Sequence, residues 1–270
     1  MPELPEVETT LRGIEPHLLN QRIARVIVRN PGLRWPVSTK VYRAHGQQFV
    51  SLSRRGKYLL LGLEQGGLII HLGMSGSLRI LPQPIAPDKH DHIDIELQNG
   101  VCLRFNDPRR FGAFLWVDGE MESHALLRNL GPEPLSAAFS AKYLYHHSRG
   151  RRVAIKNFIM NSHIVVGVGN IYASEALFMA GIHPQRGAGR ISLQRYEGLV
   201  AAIGDVLERA IKQGGTTLRD FVNSAGAPGY FAQELLVYDR AGSDCFQCGA
   251  AIRQKVIGQR SSYYCAACQR

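Results

Sequence analysis

Two groups of residues in this chain of 270 could carry chemistry: the N-terminal run Pro2-Glu-Leu-Pro-Glu-Val-Glu8 and a set of cysteines near the C-terminus. With Met1 removed, Pro2 offers a secondary α-amine, of a class with pKa roughly 8, so part of it is neutral near pH 7. Such a nitrogen can attack a sugar C1′ and give an iminium, which divides one hard displacement into easier steps. Glu3 stands covalently beside it, and Glu6 and Glu8 follow. The same residues have a plainer reading, because proline suits the first helical turn and acids there complement the helix dipole. If Met1 is retained, the Pro2 nitrogen is an amide and cannot attack, so the nucleophile reading presumes processing.

Cys245-x2-Cys248 and Cys265-x2-Cys268 are separated by sixteen residues. Each pair can place two thiolates on one tight turn, and two such turns complete a tetrahedral S4 site for Zn2+. Four thiolates leave no open position for water, so the ion is structural, contributing on the order of 10 kcal/mol to the folding of its segment. Between the pairs, Arg253, Lys255, Gln259, Arg260 and Ser261 suit a β-hairpin, either merely solvated or offering donors to phosphates. Cys102 stands alone in an apolar strand and reads as a small core residue.

Lys and Arg number 32 against 22 Asp and Glu, a formal charge of +10. That favours a polyanionic partner. Arg149, Arg151, Arg152 and Lys156 cluster in one segment, and Arg54, Arg55 and Lys57 in another; each is a solvated face or a phosphate contact. Val166-Gly-Val-Gly-Asn170 opens a helix at Ile171, with Asn170 suited to the N-cap, and a helix N-terminus attracts an anion. The Gly-x-Gly-x-x-Gly of a dinucleotide fold is absent. A composition 45% hydrophobic and 20% charged excludes a disordered chain. Apolar runs such as Leu68 to Leu72 fall far short of the ~20 residues of a membrane span. The acidic N-terminus lacks the basic and apolar regions of a secretory signal, and Cys-x-x-Cys pairs fit a reducing compartment, so a cytoplasmic protein is expected.

These residues need a scaffold. Short apolar stretches between turn signals place strands at Arg22 to Arg29, Phe49 to Ser53, Tyr58 to Leu63, Leu68 to Leu72, His92 to Leu97, Val101 to Phe105 and Ala113 to Val117. Gly66-Gly67 and Asn99-Gly100 are turns, the latter of type I′. An antiparallel sandwich or flattened barrel follows, with a helix whose stripe of Val7, Leu11, Ile14 and Leu18 packs across the sheets. Gly131-Pro-Glu-Pro134 is a linker, and helices follow at Ala138 to His147, Ala154 to Met160, Ile171 to Met179 and Ser192 to Gln213, the last closed by Gly214-Gly215. Ala225 to Gly229 reads as a loop. The fold class is multidomain α+β, divided at 1–131, 132–236 and 237–270.

Pro2 to Glu8, Arg55-Gly-Lys57, His71-Leu-Gly-Met-Ser-Gly-Ser77, Asp107-Pro-Arg-Arg-Phe-Gly112, Gly167-Val-Gly-Asn-Ile-Tyr-Ala173, Gly214-Gly-Thr-Thr-Leu218, Pro228-Gly-Tyr-Phe231 and the cysteine pairs, in that order, resemble the bacterial formamidopyrimidine-DNA glycosylases. The resemblance runs from Pro2 to Gln269. It implies an N-terminal β-sandwich, a helix-two-turn-helix domain and a C-terminal zinc hairpin. It also implies base-excision repair of 8-oxoguanine and formamidopyrimidines, with base removal followed by β,δ-elimination at the abasic site. On this resemblance Pro2 is the Schiff-base nucleophile, Glu3 the acid/base, Lys57 a proton-transfer group, and Arg260 a phosphate ligand tied to δ-elimination. His90, Arg109, Arg151 and Asn170 match DNA-contacting positions, while Met74, Arg109 and Phe111 match the residues that fill the gap left by an extruded nucleotide. Flipping costs a few kcal/mol, which apolar wedges and a cation on the orphaned base offset in part. Damaged duplex DNA is the expected partner, one structural Zn2+ the only expected cofactor, and a monomer the expected state.

The chain departs from the family at Ala225 and Ala227, where an acid and a lysine are more typical, and at Asn161, where many relatives carry Asp. A pyrimidine-specific relative resembling endonuclease VIII is the nearest alternative, although Leu4 stands where that group usually has Gly. A non-catalytic zinc-containing DNA-binding protein is the other.

Overall fold

The computed structural model of the protein describes residues 2–216 and 231–270. The Ala225 to Gly229 loop, with its departures at Ala225 and Ala227, lies outside the described residues. The chain divides into two compact units, Met1–Arg128 with Gln213–Ala232, and Asn129–Lys212 with Gln233–Arg270.

In the first unit the alternating apolar runs form β1 (Ile23–Val28), β2 (Phe49–Arg55), β3 (Tyr58–Leu63), β4 (Gly67–His71), β5 (Ser77–Leu81), β6 (Asp91–Leu97), β7 (Cys102–Asn106) and β8 (Ala113–Val117). They pair antiparallel in two four-stranded sheets, ordered β1-β6-β7-β5 and β2-β3-β4-β8. Leu59, Leu61, Leu68, Ile70 and Phe114 from one sheet meet Ile93, Ile95, Leu103 and Phe105 from the other in a single core. Helix α1 (Leu4–Leu18) buries Val7, Leu11, Ile14 and Leu18 in that core and touches β2, β3 and β5, strands of both sheets. Packing fixes the direction in which the N-terminus points.

Strand β5 has no counterpart in the sequence reading. Its Ser77-Leu-Arg-Ile-Leu81 carries a cation at its centre, and pairing with β7 overrides that local signal. The turn at Asn99-Gly100 also differs from the expected type I′. Only Gly100 has a positive φ, 89°, while the Asn99 side chain accepts from the Val101 N–H at 3.0 Å. A three-residue loop ending in a left-handed glycine connects those strands instead.

In the second unit the helices are α2 (Ala141–Ser148), α3 (Ile155–Ile159), α4 (Asn170–Met179) and α5 (Leu193–Lys212). Helix α4 is buried over most of its surface, and α5 lays Leu199, Ile203, Val206 and Leu207 inward, packing on α4 and α2. Strands β9 (Arg253–Ile257) and β10 (Arg260–Tyr264) form an antiparallel hairpin. The left-handed pair that type I′ requires occurs here, at Gly258 and Gln259, with φ of 56° and 62°. No helix among the described residues is long and apolar enough to cross a membrane.

Candidate functional site

Pro2 is buried and lies ahead of the α1 N-cap, which is Glu3; the first-turn proline of α1 is Pro5. The plain reading of Pro2 as a helix-starting proline therefore belongs to Pro5. Glu3 is 2% exposed. Its backbone N–H donates to Glu6 Oε2 at 2.7 Å, and Glu6 Oε1 accepts from the Thr216 N–H at 2.8 Å. Gly215, with φ of 83°, leaves room for that second bond: a Cβ there would stand 3.0 Å from Glu6 Oε1. Glu6 is thus the buried anchor of the N-terminal segment, a role the sequence reading left unassigned. The Glu3-x-x-Glu6 spacing of a capping box is its signal.

Lys57 sits on the tight β2–β3 turn, where Gly56 has φ of 59°. Arg54 holds this turn to α1, because its Nε donates to Glu8 Oε2 at 2.9 Å and its Nη1 to the Gly56 carbonyl at 3.0 Å. Burial pushes the Glu8 carboxyl up, but hydrogen bonds and charge from Arg54 and Arg12 outweigh it and hold Glu8 below its ordinary value. The Arg54 side chain is only 12% exposed, so it corrects the reading of Arg54 as part of a solvated or phosphate-facing cluster. Next to this turn, burial and then the charges of Lys57 and Arg34 push His71 down to about 4. The His71 ring is neutral near pH 7, and its Nδ1 accepts from the Gly73 N–H at 2.9 Å.

Met74, Arg109 and Phe111 lie on two touching loops of the first unit. A Cβ on Gly73 would stand 2.5 Å from the Gly112 nitrogen. Phe111 is 44% exposed and Met74 half-buried outside the core, so neither is a core filler. The Arg109 guanidinium lies over the Phe111 ring at 5.1 Å, and His90 and Arg109 share a depression of about 500 Å3 with Ser75, Arg79 and Asn106.

In the second unit, Asn170 does not cap α4. Gly169 is the N-cap, and Asn170 Oδ1 accepts from Lys156 Nζ at 2.6 Å. Asn170 was expected at the N-cap, but this strong donor draws its oxygen away from the helix backbone. Lys156 itself is fully buried and also donates to the Ser261 carbonyl at 3.0 Å and to Ser262 Oγ at 2.7 Å. It is a bracket between the helices and the hairpin, and the reading of Lys156 as part of a surface basic cluster is corrected. Arg260, beside Ser261, is exposed on the hairpin. Arg151 is exposed as well and lines a depression of about 430 Å3 with Arg152, Arg190 and Gln185. Glu175 of α4, another residue the sequence reading passed over, accepts backbone N–H bonds from Leu236, Val237 and Tyr238 at 2.7 to 3.0 Å and so fixes the segment entering the hairpin.

The sulfur atoms of Cys245, Cys248, Cys265 and Cys268 all lie within 4.8 Å of one another, with Cys245 to Cys268 at 3.9 Å and Cys248 to Cys265 at 3.5 Å. A tetrahedral ion with metal–sulfur bonds of about 2.3 Å sets its sulfurs about 3.8 Å apart. The four cysteines fit a metal ion. Cys102 is fully buried in β7, where burial pushes its thiol up to about 12.

Comparison with known proteins agrees with this arrangement. Residues 1–114 match the formamidopyrimidine-DNA glycosylase N-terminal domain, and residues 130–222 match the H2TH domain of the same proteins. The chain is 58% identical over its whole length to formamidopyrimidine-DNA glycosylases of Syntrophotalea carbinolica and of Alcanivorax borkumensis, each also covered completely. Among solved structures, MutM (Fpg) of Thermus thermophilus matches with a TM-score of 0.89 at 37% identity, covering 99% of this chain and 98% of that one. Lactococcus lactis Fpg in complex with abasic-site DNA matches with a TM-score of 0.92 at 31% identity over 99% of both chains. Its G226P variant with Fapy-dG DNA matches with a TM-score of 0.92 at 30% identity over 100% of both. The chain belongs to the formamidopyrimidine-DNA glycosylase family.

Proposed function

We infer that this protein is a base-excision repair enzyme, a DNA glycosylase for oxidised purines that also cleaves the strand at the abasic site. The observation that carries the reading is the position of Pro2, buried ahead of the α1 N-cap beside Glu3, with Glu6 holding that backbone in place. With Met1 removed, the Pro2 nitrogen attacks C1′ of the damaged nucleoside as the C1′–base bond breaks. The C1′–O4′ bond then opens with a proton delivered to O4′, and the resulting iminium activates the sugar for β-elimination of the 3′ phosphate and then δ-elimination of the 5′ phosphate. Glu3 is the acid/base of ring opening, Lys57 moves a proton near the lesion, and Arg260 holds a phosphate during δ-elimination. His90, Arg109, Arg151 and Asn170 contact the DNA backbone and the orphaned base. Met74, Arg109 and Phe111 enter the gap in the stack.

The ion at Cys245, Cys248, Cys265 and Cys268 is one Zn2+, which when bound cross-links the turns that carry the hairpin. The three segments 1–131, 132–236 and 237–270 divide the work into chemistry, duplex grip and phosphate grip. The protein acts as a monomer in the cytoplasm, at the nucleoid.

Borohydride added during reaction with an 8-oxoguanine duplex traps a protein–DNA adduct whose intact mass reports both Met1 removal and the covalent bond. Pro2→Gly keeps duplex binding and loses most excision. Absence of any adduct from processed enzyme would overturn the reading.

A further inference from the structure

The fully buried carboxylate of Asp107 is the structural hub beneath all three gap-filling residues. Its Oδ1 accepts from Ser75 Oγ at 3.0 Å, next to Met74, and its Oδ2 accepts from the Gly112 N–H at 2.8 Å, next to Phe111. Ser75 Oγ accepts in turn from the Arg109 N–H at 3.3 Å. The Asp107 backbone closes the remaining links: its N–H donates to the His90 carbonyl at 3.0 Å, and its carbonyl accepts from the Arg110 N–H at 3.2 Å and takes the His92 ring Nε2 at 2.8 Å. Arg110, with φ of 55°, is held in the left-handed region between Arg109 and Phe111. No arginine or lysine pairs with Asp107 among the described residues. A buried carboxylate served by neutral donors is a costly way to fasten two loops that apolar packing could fasten.

We propose that Asp107, acting with Ser75, is a positioning residue for nucleotide extrusion: it sets the height and spacing at which Met74, Arg109 and Phe111 enter the duplex, and takes no part in the bond-making steps. The inference rests on the reading of those three residues as the gap-filling set. It separates two activities of one enzyme. Excision from a duplex needs the stack to be opened and refilled, whereas scission at an abasic site already present in single-stranded DNA has no orphaned partner base to accommodate.

Asp107→Asn keeps an oxygen for Ser75 but turns an NH2 group on the Gly112 N–H, leaving a buried donor unmatched. Ser75→Ala is the milder change, available should Asp107→Asn fail to fold. Excision of 8-oxoguanine from a duplex is expected to fall on the order of 10- to 100-fold in Asp107→Asn and several-fold in Ser75→Ala. Scission of a single-stranded abasic oligonucleotide stays within about 2-fold of the parent for both. A fluorescent base analogue opposite the lesion reports the loss as slower unstacking. In a Met74→Ala, Phe111→Ala background, Asp107→Asn adds little further loss. Equal losses on duplex and single-stranded substrates, or full additivity with the gap-filling variants, overturn the proposal. Failure of the parent enzyme to excise from duplex would instead overturn the functional reading, and Met74→Ala, Phe111→Ala without effect would remove the extrusion role together with this inference.

Discussion

The sandwich and the hairpin reach the same end, a rigid platform for a few polar groups, by opposite means. The sandwich buries a continuous apolar core drawn from both sheets and α1, and its site residues are then anchored by buried acids, Glu6 and Asp107. Among the described residues the hairpin segment shares a small cluster around Phe178, Val237, Ile252 and Tyr263, and it is held by the buried cation Lys156 and by turns that carry four clustered cysteines able to hold a metal ion. The hairpin's cluster is small, so buried polar side chains with distant partners, Glu175 and Lys156, together with the cysteine turns supply the fastening that apolar area does not. The sandwich is therefore expected to stay folded under conditions that unfold the hairpin.

Metal removal breaks the comparison hardest. Cys265→Ser, or extraction by a strong chelator, withdraws on the order of 10 kcal/mol of local folding energy. The hairpin is expected to lose its amide protection and duplex affinity to fall at least 100-fold, while the sandwich stays folded. Both tryptophans, Trp35 and Trp116, lie in the sandwich unit, so their fluorescence follows it separately. A tryptophan transition that collapses together with the hairpin would show that the two platforms are not independent.

How much of this was legible in the sequence follows the same division. The strands Tyr58–Leu63 and Ala113–Val117 were readable to the residue, since their apolar runs sit between clear turn signals and the core enforces them. The cysteine site was readable from spacing alone, because metal geometry leaves little choice. What escaped were polar residues whose partners are distant in sequence. Lys156 read as one more surface cation because its acceptor Ser262 lies 106 positions away. Arg54 read as a solvated or phosphate-facing cation because Glu8 lies 46 positions away. Local pattern carries no trace of such pairings, and the type I′ turn was misplaced because glycine signals a left-handed position without saying how many residues share it.

Lys156 sharpens the hairpin side. Lys156→Met leaves Asn170 Oδ1, Ser262 Oγ and the Ser261 carbonyl without their common donor, a local loss of about 4 kcal/mol. Duplex affinity is expected to drop roughly 10-fold with the metal retained. The discriminating measurement is the salt dependence. A buried bracket touches no phosphate, so the slope of log K against log salt stays that of the parent, whereas Arg151→Ala and Arg260→Ala each lower it by about 1. A reduced slope for Lys156→Met would return this lysine to the surface cluster of cations.

His71 gives the smallest effect and the finest test of the sandwich side. Its folded value of about 4 lies below the ordinary 6.5, so the unfolded chain binds more protons between those limits and stability falls as pH falls through that window. From pH 7 to pH 5 the loss is about 2 kcal/mol. The Glu8, Asp91 and Asp94 carboxyls, all held below ordinary values near 4, add their own loss only at more acid pH. With a metal bound at the four cysteines, the hairpin is expected to show a separate acid response, because protonated thiols release a metal. Tryptophan-detected denaturation of His71→Asn should therefore be flat between pH 7 and pH 5 where the parent slopes, while metal release read by a chromophoric chelator keeps the same midpoint in both. An unchanged slope in His71→Asn would place the acid sensitivity of the sandwich in another group.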